Sequence, residues 1–495
     1  MQCHRAWPLL LLCALAPAAT GVAAGDFVLS GRIDADAHQR YIELPFEVPE
    51  GTGRITVEFD YSGREEKTTI DLGLVDPHGL RGWSGGNKRM FTVAVDDATP
   101  SYRPGPLPAG RWQLLLGVPN IRAGAVSDYT ARIALTPAAT PERLPAVLQP
   151  VLRDGPGWYR GDLHAHTGHS DASCPSRQGA KVPCPLFLTL QAAAERGLDF
   201  VSVTEHNTAS HLQELRGLQP YFDRLLLVPG MEVTTFEGHA NVFGLQAGLD
   251  FRVGDAVRDW NALLVEVERR GLPISVNHPA LPGDERCMGC GWRPKGGTDW
   301  SRVAAVEAVN GQDAGTPVSG IPFWHARLDE GHRLTGIGGS DNHDATLRDS
   351  RFGRSRVGAP TTVVHAASLS QQALLEGIRA GRVFIDADGS GAALDLVARH
   401  GDTTVAMGGD LALPRDAEAG FELRVSGAPG ARVEVIVDGT VAPLLPDANV
   451  VGSDQRLAWR WRSDGGRHWL RVDVRAADGR LLLVGNPIYV NFPER

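Results

Sequence analysis

Residues 161–171 have the sequence Gly-Asp-Leu-His-Ala-His-Thr-Gly-His-Ser-Asp. The apolar-leaning run that begins at Trp158 predicts a β-strand over residues 161–166. On a strand, residues i and i+2 point to the same face, so His164 and His166 can present both imidazoles to one ion. Two close histidines occur on many protein surfaces, and the pattern indicates a metal site only if other ligands converge on it.

The length and charge of the chain limit its class. At 495 residues it is too long for one compact core, and about two to four domains are expected. The formal net charge of −9 argues against a nucleic-acid partner, because proteins that bind the phosphate backbone carry a basic excess. A small phosphorylated substrate in a local basic patch remains compatible with this charge.

Residues 1–24 have the pattern of a secretory signal peptide. Arg5 precedes an apolar segment over residues 7–19, and small residues lead up to Ala24. The apolar segment is shorter than the roughly 20 residues that span a bilayer, and no later stretch is apolar enough for a transmembrane helix. The sequence therefore predicts an exported, soluble protein that is periplasmic or secreted.

Four cysteines remain after the predicted signal peptide is removed: Cys174, Cys184, Cys287 and Cys290. An oxidising compartment favours disulfides. Pairing within each close pair is the simplest of three connectivities, and a zinc site built from all four cysteines is the alternative.

The two ends of the chain read as all-β. Residues 25–150 alternate between apolar and polar types and resemble a jelly-roll-like sandwich, whereas residues 389–495 resemble an immunoglobulin-like sandwich. We expect these regions to pack on the centre of the chain or to contact glycan.

Residues 151–388 change to short apolar strands that alternate with helical stretches, which is typical of a mainly parallel sheet. Seven or eight such units suggest a closed or distorted barrel. The candidate strands cover residues 161–166, 200–204, 225–234, 240–245, 274–278, 303–309, 336–339 and 361–364. The clearest candidate helices cover residues 186–196, 256–270 and 368–380.

Histidine and carboxylate residues recur at the ends of these strands, where barrel enzymes build their sites. The candidate metal ligands are His164, His166, Asp171, His206, Glu232, His239, His278, Asp341 and His343. Imidazole and carboxylate ligands suit zinc, manganese or iron. Because one ion takes about four to six ligands, this set predicts two or three divalent ions, and Glu232 can bridge neighbouring ions. Paired ions lower the pKa of bound water from about 15.7 towards 7, which generates hydroxide near neutral pH.

Five short motifs carry a resemblance to a known family. They are His164-Ala165-His166-Thr167, Thr204-Glu205-His206-Asn207, Gly230-Met231-Glu232, Asn277-His278-Pro279 and Gly339-Ser340-Asp341-Asn342-His343. In this order they resemble the polymerase and histidinol phosphatase (PHP) domain, over about residues 158–388. The resemblance implies a distorted (β/α)7 TIM-like barrel, two or three divalent metals held by the nine residues above, and usually phosphoester hydrolysis. Residues 358–382 also resemble the secreted carbaryl hydrolase-like branch.

Glu205 departs from the PHP pattern, in which the family commonly has Asp. The longer side chain leaves two roles open, the orientation of a ligating histidine and the transfer of a proton. We take Glu205, His206 and Glu232 as candidate catalytic residues. We interpret His169 as an ordinary polar contact.

Arginines in two loops are candidates for anion binding, because guanidinium groups match phosphate oxygens. Arg348 and Arg351 follow the last ligand motif, and Arg293 lies near the second cysteine pair. Solvated loop charges are the alternative interpretation of each.

Three functions follow from these features. The first is an exported phosphoesterase that acts on a small phosphomonoester or phosphodiester with a metal-bridging hydroxide. The second is a carbamate or carboxylic-ester hydrolase with the same metal centre. The third is a glycan-binding surface protein with a vestigial barrel, which would have no need of nine ligands.

Overall fold

The structure is a computed structural model, and it describes residues 26–95, 98–137, 150–245, 248–285, 287–351 and 353–493. The predicted signal peptide lies outside these residues. We refer to residues 26–137 as the N-terminal region, to 150–386 as the central region and to 393–490 as the C-terminal region.

The N-terminal region contains eight strands. They are β1 Asp26–Asp34, β2 Arg40–Val48, β3 Thr52–Tyr61, β4 Thr69–Asp76, β5 Gly79–Gly85, β6 Met90–Ala94, β7 Gly110–Asn120 and β8 Val126–Pro137. They form two four-stranded sheets, β1-β8-β3-β6 and β2-β7-β4-β5, the two-sheet arrangement that the jelly-roll-like expectation requires. Ile55, Val57 and Phe59 alternate along β3 and point into the hydrophobic core between the sheets.

The central region contains eleven strands and the five α-helices of the described chain. The strands are β9 Val151–Asp162, β10 Ser173–Pro175, β11 Lys181–Pro183, β12 Phe200–His206, β13 Leu226–Thr235, β14 Gly238–Phe243, β15 Ile274–Val276, β16 Ala305–Asn310, β17 Thr335–Gly339, β18 Thr361–Ser370 and β19 Val383–Asp386. The helices are α1 Leu186–Glu195, α2 Leu212–Leu218, α3 Trp260–Arg269, α4 Ile321–Asp329 and α5 Gln371–Arg379.

One sheet runs through the central region in the order β17-β16-β15-β14-β13-β12-β9-β18-β19. It is parallel from β9 through β12 to β13 and from β15 through β16 to β17, and antiparallel around β14 and β18. The sheet curls so that β17 lies beside β18. There the Thr362 hydroxyl accepts a bond from Gly338 N at 2.8 Å and donates to Gly338 O at 2.6 Å.

The structure does not confirm the predicted (β/α)7 TIM-like barrel. Strands β13 and β14 are joined by the two residues Phe236 and Glu237 and pair antiparallel, so no helix crosses between them. The described residues contain five α-helices where seven would be required. The predicted mainly parallel sheet is also corrected, because four of its eight strand pairings are parallel and four are antiparallel. What is retained from the prediction is a curled sheet that brings the predicted ligands to one edge.

Three predicted helices correspond to α1, α3 and α5, and side-chain capping explains where α3 and α5 begin. Helix α3 begins later than the apolar pattern suggests because the Asp259 carboxylate accepts a hydrogen bond from the backbone N–H of Ala262. Helix α5 begins after Ser370, whose hydroxyl caps Ala373 in the same way. Helices α2 and α4 were not among the predictions.

The C-terminal region contains ten strands. They are β20 Ala393–His400, β21 Thr403–Ala406, β22 Asp410–Leu411, β23 Glu418–Ser426, β24 Arg432–Val437, β25 Thr440–Ala442, β26 Asp454–Arg462, β27 His468–Arg475, β28 Leu481–Gly485 and β29 Ile488–Val490. One sheet has the order β21-β20-β23-β26, but β28-β27-β24-β25 continue the central sheet through pairing of β28 with β19. The sheet therefore continues across residue 388, and the two sheets of the C-terminal region share one hydrophobic core.

The four cysteines form the disulfides Cys174–Cys184 and Cys287–Cys290, so the alternative four-cysteine zinc site is not formed. This is the simplest of the predicted connectivities. Two disulfides are consistent with a secreted protein. Among the described helices, none is long and apolar enough to cross a membrane.

Candidate metal centre

The first two predicted ligands follow a strand and are not part of it. Strand β9 ends at Asp162, earlier than predicted, and the next residues lie beside the segment after β17. There His166 N donates to Asn342 O at 3.0 Å, and Asp341 N donates to His164 O at 2.8 Å. This pairing keeps the chain extended, so both imidazoles still point the same way, with their Nε2 atoms 3.1 Å apart.

Glu232 on β13 lies at the centre of the cluster and is fully buried. Asn277 donates to its Oε1 atom at 2.9 Å. Five imidazoles surround the carboxylate: His206 Nδ1 at 2.8 Å, His278 Nε2 at 3.2 Å, His239 Nδ1 at 3.3 Å, His164 Nε2 at 3.5 Å and His166 Nε2 at 3.6 Å. A carboxylate in this position is placed to bridge neighbouring ions.

The structure brings all nine predicted ligands together. Their donor atoms form four groups, within each of which the atoms lie no more than 4.8 Å apart. The groups are His166, Asp171, His206 and His343; His164, His166 and Glu232; His164, His278 and Asp341; and His239, His278 and Cys290. The sulfur of Cys290 is held in a disulfide and is not a thiolate, which leaves imidazoles and carboxylates as donors.

Unpaired atoms in the buried part of the cluster fit a cation. Neither Nε2 of His239 nor Nδ1 of His278 makes a hydrogen bond to any residue that the structure describes. An unpaired buried polar atom costs about 1–3 kcal/mol, which coordination would offset. Burial, and then the neighbouring His206 and His343, lower the pKa of His166 to about 4. Its imidazole is therefore neutral at pH 7, the form that binds metal ions.

Glu307 on β16 contacts the cluster on the side away from the cavity, and it was not among the predicted site residues. Its Oε1 atom lies 2.9 Å from His164 Nδ1. Its Oε2 atom accepts bonds from His278 N at 3.0 Å and from Asn310 Nδ2 at 3.0 Å. A carboxylate on the far nitrogen of a ligating histidine fixes the tautomer and ring orientation. The signal in the sequence is a lone charged residue within an otherwise apolar strand.

Asp162, at the end of β9, ties together three backbone segments at the site. Its buried carboxylate accepts bonds from His164 N at 3.1 Å, Ser340 N at 2.9 Å and Gly358 N at 2.7 Å. The segments that carry His164 and Asp341 are thus held by one side chain.

Left-handed backbone conformations cluster at the ligands. His278 has φ 26°, Asp341 has φ 51° and Asn207 has φ 54°, values that are uncommon for residues other than glycine. Asn207 is held by two bonds to the backbone of Thr234, each 2.8 Å long. Such conformations persist where surrounding contacts over-determine them, and they concentrate at functional sites.

Glu205 is fully buried behind the predicted ligands and does not itself line the cavity. Its carboxylate accepts bonds from the Thr167 hydroxyl at 2.5 Å, from Thr167 N at 3.2 Å and from the Ser170 hydroxyl. It fixes the loop that follows His166 and makes no hydrogen bond to a ligating histidine among the described residues. His169 contacts Ser210 and Glu214, each at 2.8 Å, and is a polar contact as expected.

The three arginines predicted to bind an anion lie outside the cavity beside the cluster. Arg348 is 83% exposed and bonds to Glu195 at 3.2 Å. Arg351 and Arg293 are exposed as well, and neither lines the cavity. Proximity in sequence to the ligand motifs did not indicate where these long side chains point.

A cavity of about 460 Å³ opens at the cluster. Glu232 and His278 form part of its buried floor, whereas His206 and His343 are 22% and 38% exposed and lie towards its mouth. Nine of its lining residues come from the N-terminal region, for which the sequence indicated packing or glycan contact and no part in the metal site. The wall opposite the metal ligands is therefore built by a part of the chain that precedes them.

No protein-family model matches the chain, and neither does any curated protein. Among solved structures, a protein from Bacteroides vulgatus is similar and is described as a two-domain protein containing a predicted PHP-like metal-dependent phosphoesterase. The two are 19% identical, with 70% of this chain and 100% of that chain covered, at a TM-score of 0.38. A similarity this distant does not establish the family, and it does not support the carbaryl hydrolase-like branch.

Proposed function

We propose that the protein is a metal-dependent hydrolase of phosphoesters. The observation that carries the proposal is the convergence of nine imidazole and carboxylate side chains around Glu232 in one cavity. Two or three bound divalent ions, zinc, manganese or iron, would lower the pKa of bound water towards 7 and neutralise charge on a phosphoryl group. The disulfides favour action outside the cytoplasm.

The residues divide into a buried set and a set that faces the substrate. His164, His278 and Glu232 are buried and suited to hold ions rigidly. His206 Nδ1 lies 2.6 Å from the Thr234 hydroxyl, which turns its Nε2 atom towards Asp171, 3.6 Å away. His206 Nε2 can therefore bind an ion or hold a proton at the mouth of the cavity. In this proposal Glu205 positions the loop over residues 167–170 and transfers no proton.

The test combines metal analysis with a substrate panel. Chelated protein is reloaded with Zn²⁺, Mn²⁺ or Fe²⁺ and assayed with aryl phosphate monoesters and diesters, aryl carbamates and carboxylic esters. We expect metal-restored hydrolysis of a phosphoester. The double change His164→Ala and His166→Ala should abolish both turnover and metal retention, whereas His78→Ala, at an exposed turn, should leave both unchanged.

Two outcomes would contradict the proposal. Hydrolysis of carbamates or carboxylic esters alone would assign the same centre to carbon chemistry. A metal-loaded protein that hydrolyses no ester of the panel would remove the enzymatic function altogether.

A further inference from the structure

The N-terminal region is fixed over the metal centre by contacts that close the cavity. Tyr41 stacks on Phe236 of the central region with ring centroids 5.0 Å apart, and Trp83 packs edge-on against Phe251 at 4.7 Å. Ser101 N donates to the Ser210 hydroxyl at 2.8 Å. These contacts hold the N-terminal region against the central region beside the cavity.

Asp71 on β4 is the acidic residue of that wall. It lines the cavity, and no described residue donates a hydrogen bond to its carboxylate. The adjacent chain leaves it uncovered, because Gly85 and Gly86 have no side chains; a Cβ at Gly86 would lie 3.4 Å from Asp71 Oδ1. Burial raises the pKa of Asp71 to about 7, against the opposing influence of His206. Above that pH the carboxylate, held in a cavity without a donor, is suited to accept a bond from a ligand.

The chemistry of this wall indicates which part of a substrate it meets. In its ionised form Asp71 repels the oxygens of a phosphoryl group, which belongs on the side of the metal ligands. The leaving group then faces the N-terminal region. Tyr41, Trp83 and Phe236 offer apolar surface for a carbon framework, while Asp71 and the Asn87 amide offer acceptors and a donor. Hydroxyl groups both donate and accept, and they match this combination.

We propose that Asp71 is a specificity-determining residue that accepts hydrogen bonds from hydroxyl groups of the leaving alcohol, so that phosphoesters of polyhydroxylated alcohols are the preferred substrates. This inference rests on the proposed phosphoesterase function. It assigns to the N-terminal region the recognition of the leaving group and to the central region the reaction itself.

The experiment compares three esters of the same carbon length on the metal-loaded full chain, at a pH above the raised pKa of Asp71: glycerol 3-phosphate, 1-propyl phosphate and 3-aminopropyl phosphate. We expect kcat/KM for glycerol 3-phosphate to exceed that for propyl phosphate by about 10- to 100-fold, the value of one hydrogen bond to a charged group. Asp71→Ala should reduce this ratio to about 2-fold or less, and the isosteric Asp71→Asn should give an intermediate ratio. Free glycerol should inhibit the native protein more strongly than Asp71→Ala.

The controls separate this inference from the proposed function. Asp60→Asn, an exposed change in the same region, should leave the ratio at the native value, and metal content should be the same in every variant. A native ratio retained in folded Asp71→Ala would overturn the inference, as would a native preference for aminopropyl phosphate, which would assign Asp71 to an ammonium group. If native protein hydrolysed none of the three esters and no aryl phosphate, the proposed function itself would fail.

Discussion

Replacement of Glu307 by Gln tests whether the carboxylate beneath the cluster controls metal binding. Glu307 receives three donors: His164 Nδ1, His278 N and Asn310 Nδ2. When His164 binds an ion through Nε2, its Nδ1 atom carries the proton. A glutamine has one oxygen and one NH₂ group, so its NH₂ must face a donor on one side or the other. At least one buried donor is then left without an acceptor, and the charge is lost.

The expected loss can be given a magnitude. Removal of a carboxylate that orients a ligating histidine typically costs 10- to 100-fold in metal affinity, which is about 1.4–2.7 kcal/mol. We expect Glu307→Gln to weaken metal binding within this range. Titration of the chelated protein with Zn²⁺ or Mn²⁺, in competition with a chromogenic chelator, measures the affinity directly. The fold should survive, because the side chain keeps its shape.

Glu422→Gln is the matched control, since Glu422 is an exposed residue of β23 in the C-terminal region. Its metal affinity should equal that of the native protein. If folded Glu307→Gln bound metal within 2-fold of the native affinity, the orientation of His164 would not depend on this carboxylate, and the cluster would be held by its backbone supports alone.

Two further predictions concern the site and the fold. Gly339→Ala should lower metal content, measured by elemental analysis, because a Cβ would collide with Glu307 Oε1; Gly217→Ala, whose Cβ would meet open space, should retain it. Burial, and then Arg471, lower the pKa of His325 from 6.5 to about 3. The unfolded chain therefore binds more protons between these values, so stability falls as pH drops below 6.5. Between pH 7 and 5 the unfolding free energy of the native protein should fall by on the order of 1–2 kcal/mol more than that of His325→Gln, as measured by urea denaturation. An equal fall in the two proteins would contradict this assignment.

The predicted strands of the central region were placed well because each combines an apolar run with a break in the sequence. The end of β9 and the chain direction at β14 were not predicted correctly. His164 continues an extended conformation beyond β9, which alternation cannot distinguish from a strand. The hairpin between β13 and β14 depends on a two-residue turn, Phe236-Glu237, that lacks the glycine and asparagine signals of tight turns. The five residues between the predicted strands 225–234 and 240–245 are too few for a crossover helix, and this spacing is the mark that a barrel unit is missing there.

The arginines show the limit of inference from neighbouring positions. Arg348 follows a ligand motif by five residues, yet its side chain pairs with Glu195 outside the cavity. Ligands such as Asp341 were placed together because strand ends confine them to one edge of the sheet. A loop residue has no such restraint, and its direction depends on contacts that only the folded chain defines.

Glu307, which supports the cluster, and Asp71, which we propose selects the substrate, differ in how clearly the sequence indicates their roles. Glu307 leaves a signal, because a charged side chain within a buried apolar strand is unfavourable unless it is paired, so its presence at that position implies donors nearby. Asp71 leaves none, because a carboxylate on an alternating strand is compatible with solvent. Only the packing of the N-terminal region against Phe236 and Phe251 turns Asp71 towards the cavity. The predicted metal ligands were therefore accessible to motif reasoning, whereas the proposed selection of substrate depends on a contact between distant parts of the chain.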